Sequence, residues 1–167
     1  MSWYEEASQE SADRRSRLEA IYREAEKIYN AIWDDIVREI NQLTSRRQQS
    51  LQVNGSAFQR TIKQPISPRY DRADSEFRFR EMSFVLTADR KGVIATAARF
   101  EDYPPAQIEF DLEQSKDGIV RPMHKGTPVE HGEAAIMVLQ HFLFPDLPLE
   151  RERQLEPTES WFPKGLK

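Results

Sequence analysis

The chain has 167 residues, 31% charged and 38% in the hydrophobic set, with 24 Lys+Arg against 28 Asp+Glu for a net charge of −4. That length suits one domain and is short for two, and 9 Phe, 5 Tyr and 3 Trp are ample for one core. The negative balance excludes a globally basic nucleic-acid-binding coat, and the absence of cysteine excludes disulfides, Cys-ligated zinc and thiolate nucleophiles together.

The N-terminal Met1-Ser2-Trp3-Tyr4-Glu5-Glu6 is acidic and lacks the apolar core of a signal peptide. The longest unbroken apolar run, Ala134 to Leu139, is far short of the ~20 residues that a membrane span needs. The expectation is a cytoplasmic protein with no membrane contact.

After a short arm (1–11), apolar residues recur at steps of three and four from Leu18 through Ile21, Tyr22, Ala25, Ile28, Tyr29, Ile32, Trp33, Ile36 and Ile40 to Leu43, with no Gly or Pro before Gly55. This spacing predicts an amphipathic helix over 12–47, roughly 50 Å long at ~1.5 Å per residue, with Ser11 as N-cap and Asp13 in the first turn. The heptad reading fails at Asp35 and Glu39. An eleven-residue reading survives (Leu18, Tyr29, Ile40; Ile21, Ile32, Leu43), which favours a straight helix on the protein's own sheet over a parallel coiled coil. Asp13/Arg17, Glu19/Arg23 and Asp34/Arg38, four apart with the acid first, mark the solvated side.

Residues 50–123 read as antiparallel sheet. Leu51 and Val53, then Asn54-Gly55, then Phe58, Arg60 and Ile62 describe either a two-residue hairpin or one irregular strand. Lys63 to Ser75, with Pro65 and Pro68, reads as a long loop. In the strand from Glu76 to Thr87, Phe77 and Phe79 share one phase and Met82, Phe84 and Leu86 the other. A bulge near Glu81 reconciles them, and burial on both faces is the competing reading. Ala88 to Gly92 forms a hairpin loop into Val93–Phe100. Ile108, Phe110 and Leu112 alternate with Gln107, Glu109, Asp111 and Glu113 as a strand with one wet face. Ser115 to Gly118 turns the chain into a short strand over 119–123.

Thr127-Pro128-Val129-Glu130 has the pattern of a capping box with proline at the first helical position, predicting a buried helix over 128–144 that Pro145 stops. The last stretch, 145–167, carries four prolines and a charge run and reads as an extended tail ending in Trp161-Phe162-Pro163. The fold class is therefore α+β: a long N-terminal helix and a buried C-terminal helix covering an antiparallel meander of five or six strands, in one domain over 1–144.

No catalytic constellation emerges. His124, His131 and His141 include no pair four apart, serines form no nucleophile elbow, and the six glycines are scattered. Glu109 and Asp111 share a strand face at roughly 7 Å, a spacing open to acid–base work, but they belong to a wet face. No cofactor or metal is expected.

Charge is distributed unevenly. Residues 46–80 hold 8 basic and 3 acidic side chains, while 1–45 hold 6 and 10 and 101–167 hold 7 and 13. Alternation in Phe77-Arg78-Phe79-Arg80 sends the phenylalanines inward and the arginines to water, the reverse of a base-stacking sheet, so nucleic acid is disfavoured. The basic segment either attracts an acidic protein segment or pairs with the chain's own acidic parts.

The leading expectation is a non-enzymatic protein-binding or adaptor module, a homo-oligomer through its long helix, with Arg60, Lys63, Arg78, Arg80, Trp161 and Phe162 as contact residues. The long helix is expected to overhang the sheet, being longer than the sheet is wide. Trp3 and Tyr4 either anchor an interface or fold back on the body. Alternatives are a small-molecule binder or enzyme with a cavity walled by Tyr22, Tyr29, Phe84 or Phe110, and a weak single-stranded nucleic-acid binder.

Overall fold

A computed structural model of the protein describes residues 2–66 and 78–148. Phe77, most of the loop expected over Lys63–Ser75, and the tail beyond Pro148 with Trp161 and Phe162 lie outside the described residues.

Helix α1 runs Trp3–Ser45. It begins nine residues earlier than the apolar stripe predicts, because Ser2, not Ser11, is the N-cap. The Ser2 hydroxyl accepts from the Glu5 backbone N–H and the Glu5 carboxylate accepts from the Ser2 backbone N–H. Such a capping box stabilises a helix start by about 1 kcal/mol. Ile21, Ala25, Ile28, Tyr29, Ile32, Trp33, Ile36 and Ile40 are its buried face, as the eleven-residue reading requires. Of the acid-first pairs, Asp34/Arg38 is replaced by Asp35–Arg38 at 2.8 Å.

Seven strands follow in one antiparallel sheet whose spatial order is their chain order: β1 (Gln52–Ser56), β2 (Gln59–Ile66), β3 (Arg78–Leu86), β4 (Gly92–Ala97), β5 (Ala106–Gln114), β6 (Val120–His124) and β7 (Thr127–Pro128). The meander thus has one strand more than the upper expectation. Lys125 and Gly126, both at positive φ, turn the chain tightly enough that Thr127 and Pro128 pair with His124 and Met123 instead of opening a helix. Helix α2 is consequently His131–Leu143, with Glu130 as an N-cap that makes no side-chain capping bond.

The β1–β2 reading resolves to a hairpin, but its turn is Ala57-Phe58 and not Asn54-Gly55. Gly55 sits inside β1 at φ +107, where an added Cβ would fall 2.6 Å from the Gln59 carbonyl oxygen. Strand β3 has no bulge. Its register with β2 is unbroken from Ile66↔Arg78 through Lys63↔Glu81 to Gln59↔Val85. The phase is set by Met82, Phe84 and Leu86, all buried, and strict alternation then carries Arg80 inward with them and turns Phe79 to the other face, half-buried. The expectation that Arg80 faces water is therefore overturned: it is 1% exposed.

Both helices lie on one face of the sheet, packed against each other and against β5. Ile62, Phe84, Val93, Ala95, Ile108 and Phe110 form the sheet's side of the core, and Met137, Val138, Leu139 and Phe142 the contribution of α2. Each large side chain so buried contributes ~1.5–3 kcal/mol. No helix among the described residues is long and apolar enough to cross a membrane.

Candidate functional site

The four basic residues singled out on β2 and β3 do not form one patch. Strand alternation puts Arg60, Arg78 and Arg80 on the helix-covered face and Lys63 on the opposite one. Arg60 donates from Nη2 to Asn30 Oδ1 at 2.9 Å and lies over the Tyr29 and Trp33 rings at 5.1 and 5.4 Å, bracing the sheet edge against α1. Lys63 pairs with Glu81 directly across the ladder at 3.4 Å. Arg78 pairs with Glu101 and faces the Phe100 ring at 5.8 Å. Arg80 is enclosed between the rings of Tyr103 and Phe142, with Gln64 accepting from Nη1 at 3.1 Å.

Arg90, which the sequence reading passed over, repeats the Arg60 arrangement one stage along α1. From the β3–β4 turn it lies over Tyr22 and Phe58 at 4.6 and 4.9 Å and reaches Glu26 at 3.7 Å. The only signal for it is the spacing of Tyr22 and Glu26, four apart, which places a ring and a carboxylate on one helix stripe.

Of the apolar walls expected for a ligand cavity, Tyr29, Phe84 and Phe110 are packed into the core, whereas Tyr22 is exposed on α1. Tyr29 stacks on Phe84 at 4.7 Å, its hydroxyl donates to the Phe84 carbonyl at 2.7 Å, and Tyr29, Phe84 and Phe110 have no exposure. Burial pushes the Tyr29 phenol up to about 12, with the Arg60 charge acting the other way. Glu109 and Asp111 lie on the exposed face of β5, where Gln107 Nε2 donates to Glu109 Oε1 at 2.7 Å. His124 is buried, its ring 5.9 Å from that of Phe110. No group of three or more His, Asp or Glu able to hold a metal ion occurs among the described residues.

What the fold does leave open is the start of α1. Every residue from Ser2 to Glu19 is exposed, and the first buried one is Ile21. At ~1.5 Å per residue, about 25 Å of helix projects past the body as an arm. Trp3 and Tyr4, at 78% and 67% exposure, meet edge to face at its tip with centroids 5.9 Å apart, so they do not fold back on the body. At its root, Leu18, Glu19, Tyr22 and Arg23 line a surface depression of about 470 Å3.

No protein-family model, curated protein or solved structure matches the chain. The arm and the body therefore carry the functional argument by themselves.

Proposed function

We propose that the protein is a non-enzymatic protein-binding module, working in the cytoplasm, whose docking element is the α1 arm and whose ligand is a second copy of the chain. The observation that carries this reading is the arm itself: the helical residues 3–19, all exposed, bear two large aromatics at the tip and Leu18 near the root, with exposed Tyr22 one turn further on. Exposed aromatics on a preformed helix are the usual anchors of helix-mediated association. The basic strand residues support it indirectly, since Arg60, Lys63 and Arg78 are engaged within the fold and leave the arm as the larger unpartnered surface.

A chain beginning at Ala20 tests this. Residues 2–19 are all exposed, so its thermal midpoint should stay within about 2 °C of the full chain, while self-association, read by sedimentation, is lost. A midpoint lower by 10 °C or more makes the arm a structural element and ends the proposal.

A further inference from the structure

The apolar and charged groups of the arm are arranged for one geometry of pairing. Tyr4 and Tyr22 are five whole helical turns apart at ~3.6 residues per turn, hence on one side of α1 and about 27 Å from each other. Between them on that side lie the small residues Ala7, Ser8 and Ser11, and then the long side chains of Arg15 and Leu18. With a two-fold axis at Ser11 the small half of this stripe, Ala7 and Ser8, lies opposite its long half, Arg15 and Leu18, whereas parallel pairing sets each long side chain against its own copy.

Charge points the same way. Glu5, Glu6, Glu10 and Asp13 precede Arg14, Arg15 and Arg17, with no base in the first group and no acid in the second. Glu6, Glu10, Arg14, Arg15 and Arg17 have no ion-pair partner among the described residues. Parallel pairing stacks like charge on like; antiparallel pairing sets acid against base.

Resting on the protein-binding reading, we infer that two copies join through their arms as an antiparallel helix pair with the two-fold axis at Ser11. In this register Tyr4 of each copy meets Leu18 of the other. The Trp3–Tyr4 tip then covers the depression of about 470 Å3 beside Leu18 and Tyr22. Glu10 and Arg14 lie on the same flank of the stripe, so each Glu10 faces the second copy's Arg14 and the interaction occurs twice. Ser11 meets its own copy on the axis, the small Ala7 leaves room for the stem of the second copy's Arg15, and the bodies sit at opposite ends of the pair. The interface is isologous and closes as a dimer.

Because the chain has no cysteine, single-cysteine variants report the register directly. Under mild oxidation Ser11→Cys should give a disulfide dimer. Tyr4→Cys alone should not, and a mixture of Tyr4→Cys and Leu18→Cys should give the mixed dimer. Arg14→Glu should raise the dissociation constant at least tenfold, and adding Glu10→Arg should restore it. Cross-linking of Tyr4→Cys to itself overturns the antiparallel register in favour of a parallel one. A full chain that sediments as a monomer at several hundred micromolar, with no cross-linking of Ser11→Cys, overturns self-pairing altogether. In that event an unchanged midpoint for the chain beginning at Ala20 leaves the arm as a docking element for a different protein, whereas a large fall in the midpoint removes the protein-binding reading as well.

Discussion

Arg80 shows what the fold tolerates at one residue. Its guanidinium lies 4.4 Å from the Tyr103 ring and 4.3 Å from the Phe142 ring, Nη1 donates to Gln64, and Nε and Nη2 have no hydrogen-bond partner among the described residues. Burial pushes its pKa down. Two cation–π contacts and one hydrogen bond offset the cost of taking a guanidinium out of water, but the open edge leaves that offset incomplete. Arg80→Met keeps an unbranched chain between the rings and removes the charge. Relief of desolvation and loss of the Gln64 bond oppose each other, so stability in urea should stay within about 1 kcal/mol of wild type; a loss above about 3 kcal/mol would mean that the open edge holds an acceptor. Tyr29 is the converse, a buried polar group fully used. Its folded pKa of about 12 exceeds the ordinary value near 10, so the unfolded chain releases the proton first. The stability this gives is whole below pH 10 and is lost as pH rises towards 12. Tyr29→Phe should cost about 1 kcal/mol at pH 7, for the lost bond to Phe84, and should decline less steeply than wild type between pH 10 and 12 in urea melts. Equal slopes would refute that assignment.

At the scale of elements, periodicity identified whatever is packed against a continuous surface. The buried stripe of α1, the alternation of β5 and the apolar run of α2 all stand where their spacing puts them. Residues 3–11 of α1 escaped because they pack on nothing and hold too few apolar residues for a period to show; their local mark is the Ser2-Trp3-Tyr4-Glu5 capping box, which apolar periodicity does not register. Strand β3 was ambiguous for a different reason. Its two halves have apolar residues in opposite phases, and only the ladder with β2 decides which phase is inside. Turn chemistry misled twice. Asn54-Gly55 supplied a positive φ, yet inside a strand rather than at the turn, and Thr127-Pro128 suits both a helix start and a strand edge until the Lys125-Gly126 turn commits it to the sheet. Of the candidate contact residues, Lys63 reads in the sequence as the start of a loop because Pro65 and Pro68 follow it, yet β2 continues to Ile66 and makes Lys63 an outward strand position opposite Glu81. The engagement of Arg60 and Arg90 with α1 is not legible there, since Asn30 and Glu26 lie far away in sequence and their meeting depends on how the helix crosses the sheet.

Among the described residues, the sheet has one face covered by the helices and one without such a cover, and neighbouring residues on β4 separate the two. Ala95 points to the helices, with no exposure, between Phe84 on β3 and Ile108 on β5; Thr96 points away and is exposed, between Ser83 and Gln107. The same substitution at each position should therefore have opposite consequences. Ala95→Lys forces an ammonium and four methylenes into a filled core with no carboxylate to receive it, a cost of several kcal/mol against a total stability of ~5–15 kcal/mol. It should unfold the chain or lower its thermal midpoint by more than 15 °C. Thr96→Lys adds a solvated charge beside polar neighbours and should change stability by no more than about 0.5 kcal/mol. If Thr96→Lys proves as damaging as Ala95→Lys, another part of the molecule covers the outer face. If instead it is neutral in stability and does not change the sedimentation of the full chain, the outer face takes no part in assembly, which is the outcome that the proposed pairing through the arm requires.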